Sequence, residues 1–158
     1  MEILDEISLK ILNILQEKAR IPNVEVARQV GMAPSAVLER IRKLEKQGVI
    51  DGYEVRLNPE RFGRSLIAFV FVRVDESSGA GVGERLAEIP EVQEVHFTAG
   101  EDGYLVKLRA SDPKELGRFL REKITPLSGV RATRTLTVLD TLKETARIPI
   151  PQTRQENI

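Results

Sequence analysis

Residues 23–50, NVEVARQVGMAPSAVLERIRKLEKQGVI, decide the fold of this chain. Apolar residues recur at helical spacing on both sides of Gly31, which predicts two short helices joined by a tight glycine turn. Pro34 suits the first turn of the second helix, which carries apolar residues on one side and polar residues on the other. This arrangement is typical of a helix-turn-helix whose second helix enters the DNA major groove.

The outward face of the second helix supplies the candidate DNA contacts. We expect Ser35 and Arg42 to lie near base edges, and Lys43 and Lys46 to lie near phosphates. The alternative is that this polar stripe is only the solvated face of an amphipathic helix. The full set of candidate DNA-binding residues is Ser35, Ala36, Glu39, Arg40, Arg42, Lys43 and Lys46.

Two members of this set have a second possible role. Glu39 lies at the centre of the face, where its carboxylate could accept a hydrogen bond from a cytosine amino group or pair with Lys43 one turn away. Arg40 lies at the border of the buried stripe, so it could contact a phosphate or form an ion pair within the protein. The sequence leaves both choices open.

The flanking segments complete the predicted N-terminal domain. The segment from Leu4 to Leu15 has helical spacing, with Asp5 as its N-cap and Ser8 facing outward. Asn23 can cap the next helix, whose predicted buried face includes Val24. Alternating apolar residues over positions 49–57 predict a strand after the helix-turn-helix.

Beyond residue 63 the period of the apolar residues changes from helical to strand-like. The order of the predicted elements is β-α-β-β-α-β, which is the ferredoxin-like pattern. The strands are predicted at residues 66–74, 92–98, 104–109 and 130–139, and the helices begin near Val82 and Asp112. The predicted fold class is therefore α+β, with a helix-turn-helix domain followed by a ferredoxin-like βαββαβ domain.

The first strand of the second domain, LIAFVFVRV, is apolar on both faces. Two helices can cover only one face of a four-stranded sheet, and a large exposed apolar face is an interaction site or a liability. The uncovered face therefore predicts a second copy of the chain, related by a two-fold axis. Such a dimer would also present two helix-turn-helix units to two DNA half-sites.

The composition excludes several classes of protein. The 158 residues are 41% hydrophobic and 30% charged, which is typical of a soluble globular protein. There are no cysteines, so neither a disulfide framework nor a thiolate metal site can form. No apolar run approaches the roughly 20 residues of a membrane span, and the N-terminus lacks a secretory pattern. We predict a cytoplasmic protein without a membrane partner.

The residues also argue against catalysis. The chain has one histidine, His96, and it has neither a glycine-rich nucleotide loop nor a paired acid and base. We therefore predict no catalytic residues, no cofactor and no metal. The formal net charge of zero requires that a basic DNA-binding face be balanced elsewhere in the chain.

An ordered set of short motifs, from residue 3 to about residue 140, resembles the Lrp/AsnC family of leucine-responsive, feast/famine transcription regulators. The motifs are Leu4-Asp5-Glu6, Ile11-Leu12, Val26-Ala27, the run from Arg40 to Glu45, Gly48-Val49-Ile50, Pro90-Glu91-Val92, Gly100, Gly129-Val130, Thr135 and Val138-Leu139. The resemblance implies a winged-type helix-turn-helix that binds double-stranded DNA and a ferredoxin-like effector domain. It also implies dimers, which in this family often assemble into octamers, and an amino acid or related metabolite as effector.

The resemblance places the effector pocket at the loop between the second and third strands of the ferredoxin-like domain. The candidate effector-binding residues are Thr98, Ala99, Gly100, Glu101, Asp102, Gly103 and Thr135. The family motif Gly-x-x-Asp is displaced by one position here, and Ala33 stands where the family commonly has a serine that caps the recognition helix. From the residues alone, 100–103 could be a plain turn and Thr133, Thr135 and Thr137 an outward strand face.

These expectations define four segments. We predict a helix-turn-helix domain at residues 1–52, a linker strand and hinge at 53–63, an effector-binding and oligomerisation domain at 64–142, and a C-terminal tail at 143–158. The predicted function is a sequence-specific DNA-binding transcription regulator that oligomerises and senses an amino acid or related metabolite. The alternatives are an effector-independent architectural DNA-binding protein and an enzyme, because some haem-biosynthesis decarboxylases resemble this family across both domains.

Overall fold

The computed structural model describes residues 4–75, 81–100 and 103–150. The chain divides into two compact units. The first unit combines Met1–Arg56 with Glu144–Ile158, and the second unit is Leu57–Lys143. The division after Arg56 falls inside the segment predicted as the hinge.

Three helices form the first unit. They are α1 (Glu6–Glu17), α2 (Asn23–Val30) and α3 (Pro34–Lys46). Asp5 caps α1 as predicted, because its Oδ1 accepts a hydrogen bond of 2.8 Å from the backbone N–H of Ser8. Gly31 ends α2 in the left-handed conformation at φ 70°. The buried core that joins the helices consists of Ile11, Val26, Ala27, Val37 and Ile41.

Several local predictions for this unit are wrong. Ser8 is buried, with 7% of its surface exposed, because Arg40 reaches its hydroxyl. Asn23 is the first residue of α2 instead of its cap, and Pro22 takes the cap position without a side-chain hydrogen bond. Val24 is 66% exposed instead of buried, because it lies at the first turn of α2, outside the stripe that meets the other helices.

The strand predicted at residues 49–57 is also wrong. Residues 51–58 have no regular secondary structure, although Tyr53, Val55 and Leu57 keep the alternating apolar pattern. A strand needs a neighbouring strand to share its backbone hydrogen bonds. The single described sheet lies at residues 66–137, and its four strands do not include this segment.

The segment after residue 143 belongs to the first unit. The side-chain amide of Gln16 binds the backbone of Ile148 on both sides: its Nε2 donates to the carbonyl at 3.0 Å, and its Oε1 accepts from the N–H at 2.7 Å. This amide satisfies the donor and acceptor of one residue, as a neighbouring strand would. Ile148, which lies in the segment predicted as a C-terminal tail, is therefore hydrogen-bonded to α1.

The second unit has the predicted β-α-β-β-α-β order. A short 3₁₀ helix (Pro59–Phe62) precedes the sheet. The strands are β1 (Leu66–Val74), β2 (Val92–Phe97), β3 (Tyr104–Ala110) and β4 (Val130–Thr137), and the helices are α4 (Val82–Ala87) and α5 (Pro113–Phe119), which continues as a π turn (Leu120–Ile124). The sheet order is β2-β3-β1-β4, and all its neighbouring strands are antiparallel. The ferredoxin-like prediction is confirmed.

The two faces of β1 have different surroundings. Ala68, Val70 and Val72 are buried in the core with α4 and α5. Phe69 and Phe71, which point to the other face, are only half-buried. We call that other face the open face. It is less apolar than β1 alone suggests, because its cross-strand neighbours include Lys107 on β3 and Arg134 on β4, as well as the apolar residues Leu105 and Leu136.

The threonine row of β4 lies on the helix side of the sheet. Residues directly opposite each other in an antiparallel pair share a face. Thr133 pairs with Val72 and Thr135 pairs with Val70, both buried residues of the core. Thr133 and Thr135 are half-buried instead of outward, so the predicted outward face is wrong for these two threonines, whereas Thr137 is exposed.

Candidate DNA-binding face and effector loop

The third helix is fixed by its apolar side. Val37, Ile41 and Leu44 are buried, with 0%, 6% and 3% of their surfaces exposed. At 100° per residue these positions form one stripe, so the opposite side of α3 must face away from the core. The cap position, Ala33, makes no side-chain hydrogen bond, and Pro34 occupies the first turn as predicted.

The structure places most of the candidate DNA-binding residues together on the outward side of α3. Ala36 is half-buried at its edge. Ser35, Glu39, Arg42, Lys43 and Lys46 are exposed. The exposed side therefore presents three cations, one carboxylate and one hydroxyl within about three helical turns. Among the described residues no ion pair joins Glu39 to Lys43, so the structure leaves both side chains available to solvent.

Arg40 differs from the rest of the set. Its Nη1 donates to Asp5 Oδ2 at 2.6 Å and to Ser8 Oγ at 3.1 Å. Asp5 therefore caps α1 with one oxygen and holds α3 with the other. The hydrogen bonds from Ser8, and then the one from Arg40, lower the pKa of Asp5 to about 2, so this carboxylate is ionised at neutral pH. The structure shows the internal ion pair that the sequence left as one of two choices.

The candidate effector loop, residues 98–103 between β2 and β3, is closed by a contact between its two ends. The backbone N–H of Thr98 donates to the Gly103 carbonyl at 2.8 Å, and the Thr98 hydroxyl donates to the same oxygen at 3.3 Å. Ala99 and Gly100 are exposed between them. Glu101 and Asp102, the candidate carboxylates, lie outside the described residues. Among the described residues of the loop, Ala99 and Gly100 are thus exposed, and the Thr98 hydroxyl donates to the bond that closes the loop.

Gly103 cannot be replaced freely. It is buried, it has φ 89°, and a Cβ at this position would lie 3.0 Å from Val74 Cγ2 and 3.2 Å from the Val72 carbonyl oxygen. The glycine lets the β2–β3 hairpin approach the end of β1. From the sequence, Gly103 is predicted to bind the effector or to form part of a plain turn, and neither prediction includes this steric role. A glycine directly before an apolar strand is the signal that pointed to it.

Thr135 is not beside the effector loop in one chain. It lies on β4, which is separated from β3 by β1, and strands are about 4.8 Å apart. The lateral distance from β3 to β4 is therefore about 10 Å. One chain brings Thr98, Ala99, Gly100 and Gly103 together, and it leaves Thr135 on the opposite edge strand.

Sequence reasoning missed the charged residues of the open face. Lys107 Nζ pairs with Glu94 Oε1 at 3.1 Å, and the Arg134 guanidinium lies 4.1 Å from the centre of the Phe71 ring. The hydrogen bond from His96, then that from Lys107, lowers the pKa of Glu94. The Lys107–Glu94 and Arg134–Phe71 pairs each join residues of different strands, so only the register of the sheet reveals them.

Comparisons with known proteins assign both units. Residues 4–51 match the family model for a winged helix-turn-helix DNA-binding domain, and residues 67–148 match that for an Lrp/AsnC ligand binding domain. Among the described residues, no helix has the length and apolar character required to cross a lipid bilayer.

Related proteins are similar in sequence to this chain over nearly its full length. The HTH-type transcriptional regulator FL11 of Pyrococcus horikoshii is 41% identical over 147 residues, which cover 93% of this chain and 97% of that protein. The leucine-responsive regulatory protein of Escherichia coli K12 is 38% identical over 151 residues, covering 93% and 92%. A crystal structure of a Neisseria meningitidis transcriptional regulator in complex with L-methionine superimposes with a TM-score of 0.87 at 30% identity, covering 93% and 97%.

These relatives are named as transcription regulators and not as enzymes. Their likeness spans the helix-turn-helix and the ferredoxin-like sheet described above. The chain belongs to the Lrp/AsnC family of transcription regulators, with an N-terminal DNA-binding helix-turn-helix and a C-terminal ligand-binding domain.

Proposed function

We propose that this protein is a cytoplasmic regulator that recognises specific DNA sequences through the outward side of α3. The observation that carries the proposal is the separation of the two sides of this helix. Val37, Ile41 and Leu44 anchor it, while Arg42 and Lys46 project into solvent. A rigidly anchored helix with a polar outer side is the element that helix-turn-helix proteins insert into the major groove.

The candidate residues divide into two roles. Lys43 and Lys46 are positioned to neutralise phosphates, a contribution that ignores base sequence. Ser35, Arg42 and Glu39 supply a hydroxyl, a guanidinium and a carboxylate, which can distinguish base edges. A carboxylate on this face repels phosphate, so Glu39 favours selectivity over general DNA affinity. Arg40, held by Asp5, positions α3 against α1 instead of contacting DNA.

The proposal includes a symmetric dimer formed through the open face. Phe69, Phe71 and Leu105 are half-buried there, and Leu136 is 49% exposed. Burying this surface against a second copy is favourable by roughly 25 cal/mol per Å² of apolar area. The dimer would supply the two helix-turn-helix units that a palindromic operator requires. Assembly of dimers into octamers is the further step that the family resemblance suggests.

The effector of the proposal is an amino acid held at the β2–β3 loop. The Neisseria relative was crystallised with L-methionine. In this chain the exposed backbone at Ala99 and Gly100 offers N–H groups to a carboxylate. The acidic side chains of Glu101 and Asp102 would hold the ammonium group. Because Thr135 lies on the far edge of the sheet, its contribution would require a second chain.

DNA binding is tested by fluorescence anisotropy on the gene's own upstream region at several salt concentrations. Lys46→Gln should make the slope of log K against log salt less negative by about 0.9 per lost phosphate contact, or about 1.8 in a dimer. Lys10→Gln is the matched control, because Lys10 is an exposed cation on α1 that pairs with Glu6 at 2.6 Å. Equal slopes for both variants would contradict the assigned face.

Base recognition is tested separately with a set of operators that carry single base-pair changes. We expect Glu39→Gln to change the order of affinities among these operators, since it replaces an acceptor by a mixed donor and acceptor. An unchanged order would remove Glu39 from base recognition. Binding that ignores operator sequence in the wild type would instead favour an architectural DNA-binding protein.

The dimer is tested by sedimentation equilibrium of the full chain. Leu136→Glu places a charge on the open face and should weaken self-association strongly, because an unpaired buried charge is costly. Leu139→Glu is the matched control, since Leu139 is 98% exposed beyond the end of β4. If Leu136→Glu associates as strongly as the control, the open face is not the dimer interface.

The effector site is tested by calorimetric titration of L-methionine and L-leucine into wild type and Asp102→Ala. We expect heat from the wild type and a large loss in the variant, because the ammonium group loses its counter-charge. Equal heats in the two proteins would exclude Asp102 from the site. DNA affinity without ligand should be unchanged in this variant, which separates loss of sensing from loss of the fold.

A further inference from the structure

The outward side of α5 and its π turn carries three cations in a row. Lys114, Arg118 and Arg121 are all exposed, and they recur at the helical spacing i, i+4 and i+7. Leu116 and Phe119 form the opposite side of α5 and pack into the core of the second unit. We call the three cations the basic stripe. It belongs to the second unit, outside the helix-turn-helix.

Arg121 remains part of the stripe although it lies in the π turn. The Thr125 N–H donates to the Leu120 carbonyl at 2.9 Å, which is the i→i+5 bond of this turn. The Arg121 guanidinium lies back over the preceding turn, since a Cβ added at Gly117 would be 3.3 Å from its Nη1. A glycine inside a helix is unfavourable, and here it leaves room for the guanidinium.

The carboxylates near the stripe are engaged elsewhere. Arg64 Nη1 lies 2.7 Å from Glu115 Oε1, and Lys123 Nζ lies 2.7 Å from Glu91 Oε1. Both ion pairs line a cavity of about 150 Å³ beside α5. Asp112 caps α5, because its Oδ1 accepts a hydrogen bond of 2.8 Å from the backbone N–H of Glu115. These carboxylates therefore have partners other than the stripe.

The stripe itself has no internal partner among the described residues. In that part of the chain the side chains of Lys114, Arg118 and Arg121 form no hydrogen bond or ion pair. The neighbouring carboxylate of Glu122 is likewise exposed and unpaired there. Three cations against one carboxylate give this surface a positive charge, although the formal net charge of the chain is zero. An external anion is attracted to such a surface.

The arrangement suits a polyanion better than a single small anion. A small anion is bound by donors that converge on one point in a concave site, whereas these cations follow one another along a helix. At a rise of about 1.5 Å per residue, Lys114 and Arg121 are about 10 Å apart along the helix axis. Each strand of duplex DNA carries a phosphate about every 3.4 Å of its axis, so about three phosphates fit this length.

We propose that the basic stripe is a second DNA-contacting surface, which binds phosphates of the duplex outside the operator. The inference rests on the proposed function, in which α3 binds the operator. Phosphate contacts carry no direct information on base sequence, so the stripe adds affinity without changing which operator is recognised. It contributes only when the DNA extends beyond the operator.

The experiment measures binding of the full-length protein to two duplexes by fluorescence anisotropy at several salt concentrations. The short duplex is the shortest piece of the gene's own upstream region that retains sequence-specific binding. The long duplex extends it on each side by about 20 base pairs, which is roughly 70 Å. For the wild type, the slope of log K against log salt should be more negative on the long duplex, by about 0.9 for each added phosphate contact.

A triple variant removes the stripe by the substitutions Lys114→Gln, Arg118→Gln and Arg121→Gln. It should bind the short duplex as the wild type does and lose the difference in slope between the two duplexes. In footprinting on the long duplex, it should protect the operator and lose the protection of the flanking DNA that the wild type shows.

The matched control is a second triple variant, with the substitutions Arg61→Gln, Arg131→Gln and Lys143→Gln. It removes the same charge from exposed positions of the second unit outside α5. Within the described ranges of the chain, the side chains at these positions form no hydrogen bond or ion pair. The control should keep the wild-type difference in slope and the wild-type footprint.

The proposal is overturned if the wild type has equal slopes on the two duplexes, or if the stripe variant and the control behave alike. A stripe variant that binds the short duplex more weakly would also overturn it, because the stripe would then contact the operator. Failure of the proposed function is visible separately on the short duplex, where Lys46→Gln would leave the slope unchanged. Failure of the present inference is visible in the comparison of the stripe variant with the wild type and the control.

Discussion

Gly103→Ala should destabilise the second unit far more than its single added methyl group suggests. Two costs add at this position. A non-glycine residue in the left-handed region costs about 1–2 kcal/mol, and Gly103 has φ 89°. The new Cβ would also lie 3.0 Å from Val74 Cγ2 and 3.2 Å from the Val72 carbonyl. Overpacking of this kind costs about 1–3 kcal/mol, which makes a total of about 2–5 kcal/mol.

Gly63→Ala is the matched control for the steric contact that a Cβ at position 103 would make. Gly63 has φ 60°, but a Cβ added there would have no atom within 4 Å. This variant should therefore lose only the conformational cost of about 1–2 kcal/mol. For a unit of this size, 1 kcal/mol shifts the Tm by about 4–8 °C. We expect Gly103→Ala to lower the Tm of the second unit by about 8 °C or more, and Gly63→Ala by clearly less.

The assay is differential scanning calorimetry of the full chain, with the two units treated as separate transitions. Hydrogen exchange at the Thr98 amide, which bonds the Gly103 carbonyl, should accelerate in Gly103→Ala and stay unchanged in Gly63→Ala. If the two variants lose equal stability, the close approach of the hairpin to β1 contributes nothing. The steric account of Gly103 would then be refuted.

Three further outcomes test the first unit. Asp5→Asn keeps a capping side chain but removes the charge that faces Arg40. Folding lowers the pKa of Asp5 from 3.8 to about 2. The Tm of the variant should therefore be lower than that of the wild type at neutral pH, and the difference should disappear as the pH falls from about 4 to about 2. Asp5 is half exposed, so that difference should correspond to only about 0.5 kcal/mol. Ile41→Ala should cost about 2–5 kcal/mol in thermal unfolding, as a buried residue of the core. Gln16→Leu should accelerate hydrogen exchange at Ile148 with little change in the sheet, and unchanged exchange would mean that the amide contact does not hold the segment.

The helices and the order of the elements along the chain could be predicted because their signals are local. The 3.6-residue period defined α1, α2 and α3, and turn residues separated the strands of the second unit. The outward side of α3 was predicted from the same 3.6-residue period. The strand predicted at residues 49–57 is wrong because a strand depends on a non-local partner. Alternation shows which residues are apolar but cannot supply a neighbouring strand.

What the sequence could not predict depends on residues far apart in the chain. Ser8 is buried because Arg40 approaches it from another helix, 32 positions away. The threonines of β4 lie on the helix side because the register with β1 places Thr135 opposite Val70. A shift of one residue reverses the two faces of a strand, and composition alone does not determine that register.

The cavity beside α5 could not be predicted from the sequence for a related reason. Its wall depends on a π turn, and the helical period used to assign faces assumes 3.6 residues per turn throughout. One extra residue in a turn rotates every later side chain about the helix axis by a large angle. Lys123, which follows the start of this turn, reaches Glu91 across 32 positions.

Gln16 of α1 binds Ile148, and the segment from Glu144 belongs to the first unit. The second unit is therefore an insertion within the first. The chain leaves the helix-turn-helix after Arg56, builds the whole sheet, and returns to α1 from Glu144 onward. A deletion that begins at residue 144 therefore removes part of the DNA-binding unit and leaves every strand of the sheet in place. Reduced operator affinity in such a truncated protein would then reflect the lost contact with α1, while all four strands of the sheet are still present.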